Sequence, residues 1–269
     1  MPAQLREWEL AEVERSHREA IETPAWALRT DERQLARYVH PPRDSAFPRE
    51  YAFGLLGDIR GLTVLDFGCG NGENALPLAR RGARVIGVDI SDSLIRLARR
   101  RLELNRIASQ AEFVVGSAHD LPIASGSVDL VVGFAVLHHL DLELASNEVF
   151  RVLKPGGRGI FQEPVRDSRL LRAARKAIPY RRHDVSPFER PLTSSDIGRF
   201  SSSFTTESVR AFSLPFVNVA QTIVPGSRYI DKLYRLDRAM LGAFPALAPL
   251  AGIRVIELSK RSDALQPAH

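Results

Sequence analysis

The stretch Val64-Leu65-Asp66-Phe67-Gly68-Cys69-Gly70-Asn71-Gly72-Glu73 decides the fold. An apolar run ends in an acid, and glycines then stand at alternate positions. Glycine turns the chain tightly and lets a ligand lie against bare backbone. The residues that follow, 74–81, have the composition of a helix that starts beneath the bound group. A dinucleotide fingerprint would read G-x-G-x-x-G and hold a pyrophosphate. Here the third glycine comes one residue early and a carboxylate stands two residues before the first. That arrangement suits a cationic amino-acid ligand better than an anionic phosphate.

Working outward, Val85-Ile86-Gly87-Val88-Asp89 is a second buried run closing on an acid, at roughly the 20-residue offset from which a carboxylate reaches a ribose diol. From Leu62 short β-branched runs alternate with longer helix-compatible ones. Strands are expected at 62–67, 84–89, 111–115, 128–134 and 158–163, and helices at 74–81, 92–104 and 142–152. Such alternation builds a mostly parallel sheet covered on both faces, with its ligand beyond the carboxyl ends of the strands. Asp66, Asp89, Ser117 and Phe134 all fall at or just past those ends. After Pro164 the alternation stops. Thr193 reads as a helix N-cap with Asp196 three residues on, 206–212 and 253–259 read as the sixth and seventh strands, and 229–244 between them reads as a helix. At the other end, Pro24 and Pro41-Pro42 break the chain into two short helices forming an N-terminal flap, with Trp8, Trp26, Tyr38 and Tyr51 as aromatics to line it.

Composition sets the class. The chain has 269 residues, 44% of them apolar and 26% charged, as in an ordinary soluble protein with a substantial core. No apolar run approaches the roughly 18 residues of a membrane span, no signal-peptide pattern opens the sequence, and one cysteine cannot form an internal disulfide. These features fit a cytoplasmic protein. Cys69 itself reads as a small residue between two glycines rather than a nucleophile. The net charge is +5. All of it is matched by one segment, 166–199, where nine basic residues face four acids. Arg169, Arg172 and Arg175 recur at helical spacing there, as a solvated helix face or as a face that recruits an anionic or membrane-associated acceptor.

Further landmarks follow in order: Phe113 to Pro122, Val128 to Gly133, Val136-Leu137-His138-His139-Leu140 and Leu153-Lys154-Pro155-Gly156-Gly157. With the two acids and the glycines, these motifs resemble the class I S-adenosylmethionine-dependent methyltransferases, of the type 11 kind acting on small molecules. The resemblance spans about residues 50–165. It implies an α/β Rossmann-like fold: a seven-stranded, mostly parallel sheet with helices on both faces and an antiparallel last strand. Residues 1–55 would be the helical flap, 56–165 the donor-binding core, and 166–269 the last two strands with helical insertions over the active-site mouth.

The resemblance also implies roles. S-adenosylmethionine would be the cofactor and S-adenosylhomocysteine the product, with no metal. Asp66, Gly68, Gly70 and Asn71 would hold the methionine end, Asp89 the ribose and Ile90 the adenine face. Ser117 and Ala118 would meet the adenine edge, although Ser117 stands where the family commonly has an acid. Phe134, Ala135 and Val136 would line the methyl channel. If the acceptor is a hydroxyl it needs a base; His138 and His139 come first, then Glu163, then His119 and His183. The acceptor is expected to be a small molecule. A nucleic-acid or other macromolecular acceptor is less favoured, since no Asn/Asp-Pro-Pro-aromatic segment follows the fourth strand and no cysteine is placed to attack a pyrimidine. An NAD-dependent oxidoreductase and a non-catalytic donor-binding module complete the alternatives.

Overall fold

The computed structural model describes residues 3–168, 190–223 and 228–261. Seven strands form one sheet: β1 (Thr63–Phe67), β2 (Arg84–Asp89), β3 (Ala111–Val115), β4 (Val128–Phe134), β5 (Leu153–Pro164), β6 (Thr205–Phe212) and β7 (Ile253–Ser259). Their order is β3-β2-β1-β4-β5-β7-β6. The first five pair in parallel, and β7 runs antiparallel to both β5 and β6. The chain leaves β1 to one side toward β2 and returns on the other as β4, so the strand order reverses between them. In sheets of this kind that reversal opens a crevice at the carboxyl ends.

Helices cover both faces. On one lie α2 (Glu32–Val39), α3 (Pro48–Leu55), α4 (Ala75–Arg80) and α5 (Asp92–Leu104), packing Leu35, Phe53, Leu78, Ile95 and Leu102 onto Val64, Val85 and Leu130. On the other lie α6 (Leu142–Val152) and α7 (Ser194–Phe200), with Val149, Val152 and Phe200 against Leu65, Val131 and Phe161. Caps set where these helices start. Ser91 accepts from Leu94 N–H at α5, Asp141 from Glu143 and Leu144 N–H at α6, and Thr193 and Asp196 form a reciprocal capping box at α7. Helices α8 (Pro215–Ile223) and α9 (Arg228–Ala243) pack on each other beside Ala46 and Phe47. Among the described residues, no helix is long and apolar enough to cross a membrane.

Two expectations are corrected. The N-terminal flap is not two short helices: a 20-residue helix, α1 (Ala3–Glu22), precedes a short turn at Ala25–Leu28 and then α2 and α3. Nothing before Pro24 interrupts the helix, and Asp31 and Pro48 start the next two. Of the four aromatics, Trp8 reaches the crevice, Tyr38 and Tyr51 pack against Phe53 and Phe212, and Trp26 is 77% exposed. Strand β5 starts five residues earlier than expected, at Leu153, because Leu153 pairs with Val128 before a register shift in β4. The arginine cluster from Arg169 to Arg182 and His183 lie outside the described residues.

Candidate active site

The glycine loop after β1 is pinned to the end of β2. The N–H groups of Gly68 and Cys69 donate to Val88 O at 2.9 and 3.0 Å, and Gly70 N–H donates to Asp89 Oδ2 at 2.9 Å. The other oxygen of Asp89 accepts from Ser91 N–H at 2.9 Å, so the carboxylate is fixed at both ends. Gly68 has φ +69, and a Cβ there would lie 2.4 Å from Val136 Cγ2. The sharp turn and the close approach to Val136, just beyond β4, both require glycine.

Beyond these strand ends lies a cavity of about 370 Å³. The sheet side of its wall holds Gly68, Gly70, Asp89, Ile90, Ser117, Ala118, Phe134, Ala135, His138 and His139. With Val136 and His119, which also line it, these are twelve of the sixteen site candidates singled out from the sequence. The opposite wall is α1, which contributes Trp8, Glu9, Glu12, Arg15, Ser16 and Glu19. Among the described residues, none of the cavity's lining comes from 166–250, and four carboxylates there face one arginine. That balance suits a cation and would repel a pyrophosphate.

Asp66, Asn71 and Glu163 stand behind the wall. Asp66 is fully buried, and neither carboxylate oxygen has a hydrogen-bond partner among the described residues. Burial pushes its pKa up to about 7; the Arg49 charge opposes the rise and Asp89 adds to it. Asp89 is also raised, by burial first, with its two backbone N–H donors opposing. Asn71 turns to Arg101, whose Nε donates to Asn71 O at 2.9 Å and whose second nitrogen donates to Oδ1 at 3.2 Å. Cys69 is buried, and its thiol is raised well above the ordinary value by burial and then by the two aspartates, which removes it as a nucleophile.

At the end of β4, Ala135 adopts φ +54, a conformation rare for any residue with a Cβ. Glu163 on β5 holds this bend. Its Oε1 accepts from Val136 and Leu137 N–H at 2.8 and 2.9 Å, and its Oε2 lies 2.9 Å from His138 Nδ1. The His138 and His139 rings lie against each other at a 40° tilt, with centroids 4.0 Å apart. On the far side, His139 Nδ1 faces Glu12 Oε2 at 3.3 Å without hydrogen-bond alignment. His119 is committed differently: its Nε2 accepts from Asp141 N–H at 3.0 Å, which places the ring proton on Nδ1, 3.0 Å from Glu9 Oε1. That leaves it no unshared atom for acid–base work.

A methyltransferase-domain family model matches residues 65–161, the span from β1 through β5. A demethylmenaquinone methyltransferase of Thermus thermophilus is 32% identical over 155 residues, covering 56% of this chain and 68% of that protein. The chain belongs to the class I S-adenosylmethionine-dependent methyltransferases. A second demethylmenaquinone methyltransferase, from Lactococcus lactis, is 36% identical over 107 residues, 38% of this chain and 42% of that one. The chain spans about half the length of several curated relatives it matches. Among solved structures, a geranyl diphosphate C-methyltransferase of Streptomyces coelicolor superposes with a TM-score of 0.57 at 19% identity, over 83% of this chain and 87% of that one, which shows a shared fold.

Sequence reasoning missed the α1 side of this methyltransferase's cavity. Glu9, Glu12, Ser16 and Glu19 fall at i, i+3, i+7 and i+10, one face of a helix. That periodicity was available, but a solvated charged face has the same one.

Proposed function

We propose that the protein transfers the methyl group of S-adenosylmethionine to a small-molecule acceptor and releases S-adenosylhomocysteine. The observation that carries this reading is the lock between Gly70 N–H and Asp89, set in an acid-lined cavity. The residues present fit the donor. Bare backbone at Gly68 and Gly70 gives the close approach, the Asp66 carboxylate lies buried beneath it with no hydrogen-bond partner among the described residues, and Asp89 keeps lone pairs for a diol. When bound, the donor supplies an activated methyl on a sulfonium. The protein's own part is to position the reactants and exclude water, a contribution worth roughly 7–11 kcal/mol in well-oriented reactions.

The acceptor would arrive at the His138–His139 end, next to Phe134 and Ala135. With Nδ1 of His138 engaged by Glu163, proton transfer at that ring would use Nε2. Glu163 therefore acts as a positioning residue, not as the base that the sequence suggested. Closure by α1 over the cavity favours a small acceptor over a nucleic acid. The named relatives are demethylmenaquinone methyltransferases, so quinols head the acceptor screen. Any role for an anionic or membrane-associated acceptor rests on the basic 166–199 segment alone.

Isothermal titration with S-adenosylmethionine, S-adenosylhomocysteine and NAD tests the reading. Saturable binding of the first two below about 1 mM, without NAD binding, is expected. Binding of NAD alone would overturn it. Methyl transfer from labelled donor to members of the acceptor screen then tests turnover.

A further inference from the structure

Glu9 projects from α1 to the end of β3, where the sequence alone suggested Ser117 and Ala118. Its Oε1 lies 2.5 Å from Ser117 Oγ and 3.0 Å from His119 Nδ1. The side chain is 14% exposed, and the imidazole of His119 beside it 3%. The direction of each hydrogen bond follows from its neighbours. Ser117 Oγ accepts from His119 N–H at 3.0 Å, and its single proton goes to the carboxylate. His119 Nε2 accepts from Asp141 N–H, so its proton sits on Nδ1 and also points at Glu9. Both side-chain donors at this end of the cavity are spent on one oxygen of Glu9. What remains facing the cavity is an acceptor, the rest of the carboxylate.

The sheet fixes what would meet it. β1, β2 and β3 are neighbours in register, Phe67 beside Val88 and Asp89 beside Val115, and adjacent strands lie roughly 4.8 Å apart. A nucleoside whose ribose is at Asp89 and whose other end is at the glycine loop extends its base over Gly116, Ser117 and Ala118. An acceptor-only group there favours a base edge that donates, such as an exocyclic amine, and rejects a carbonyl in the same place. We infer that Glu9, brought in by the N-terminal helix, is a specificity-determining residue that reads the amino edge of the donor's adenine. This rests on the donor-dependent reading above and adds to it a contact from outside the sheet.

The test compares S-adenosylhomocysteine with S-inosylhomocysteine, which carries a carbonyl where adenine has its amine, by isothermal titration against three proteins. The wild type should prefer the adenosyl compound by about 100-fold or more. In Glu9→Gln the amide oxygen can still accept from Ser117 and His119 while its NH₂ faces the base, so the preference should fall at least tenfold. Glu14→Gln, an exposed position of the same helix away from the cavity, should keep the wild-type preference within a few-fold. Amide exchange of α1 checks that the helix stays docked in each variant. A wild-type preference retained in Glu9→Gln, or lost equally in Glu14→Gln with α1 docked, would overturn the inference and leave donor binding intact. Failure of the wild type to bind either compound would instead overturn the donor reading, and this inference with it.

Discussion

Nδ1 of His138 lies 2.9 Å from Oε2 of Glu163, a carboxylate with no exposed surface whose other oxygen accepts from two consecutive backbone N–H groups. One side chain thus fixes both the bend after β4 and the tautomer of the histidine on it. Glu163→Gln should keep the bend, since an amide oxygen still accepts, but its NH₂ would face His138 Nδ1 and force the proton to Nε2. ¹⁵N shifts of the ring should show the tautomer reverse, with stability lowered by about 1–3 kcal/mol in urea titrations. Glu163→Ala orphans two buried N–H groups and should cost more. An unchanged tautomer in Glu163→Gln would show that Glu163 does not set it.

Asp66 makes the ligand-free protein sensitive to pH. Its folded pKa of about 7 lies above the ordinary 3.8. Its contribution to stability is therefore fully present below about pH 4 and is lost as pH rises to 7. Three units correspond to a change on the order of 4 kcal/mol. Relative to wild type, Asp66→Asn should gain stability steadily from pH 4 to 7 and level off above. Urea midpoints across that range give the trend. A cationic ligand at the glycine loop should favour the ionised form, so binding near pH 6.5 should release up to one proton. Titration in two buffers of different ionisation enthalpy measures that release, and a value of zero would place the ligand's charge away from Asp66.

The glycine loop separates packing from binding. A Cβ on Gly68 would collide with Val136, whereas one on Gly70 (φ +52) meets no protein atom within 4 Å. Gly70→Ala should cost only the roughly 1–2 kcal/mol of the left-handed backbone, yet weaken S-adenosylhomocysteine at least tenfold. Gly68→Ala should lose stability beyond that figure whether or not ligand is present. Equal stability losses in the two variants would contradict the assignment.

How far the sequence could be read follows from how local each cause is. The acid, the glycines and the second acid lie within one strand-turn-helix-strand unit, so their spacing alone located Gly68, Gly70 and Asp89 on the cavity. The boundaries of α5 and α6 were legible because their apolar periodicity is strong and Ser91 and Asp141 cap them within the same few residues. Glu163 behaves differently because its burial depends on the register of β5 against β4, which sets Phe134 beside Gln162 and leaves the next side chain on the opposite face. Glu9 and Glu12 were illegible for a similar reason. Their partners, Ser117, His119 and His139, lie more than 100 residues further along the chain, and local pattern carries no record of that docking.

Glu12 is the counterpart of Asp66 in acid. Burial alone would raise its pKa, but contact with His139 and the charges of His139 and Arg15 hold it at about 2. A depressed carboxylate contributes stability above its ordinary value of 4.5 that is lost as pH falls toward 2. That loss falls on α1, because Glu12 and Glu9 are the carboxylates tying the helix to His139, His119 and Ser117. Between pH 4.5 and 2, α1 amides should lose protection before those of α5, once intrinsic exchange rates are accounted for. Glu12→Gln should reproduce the selective loss at pH 7 and weaken S-adenosylhomocysteine, because the cavity loses its outer wall. If α1 of that variant is protected as in wild type at neutral pH, the pair with His139 does not hold the helix, and its docking must come from the apolar contacts of Leu5 and Trp8 instead.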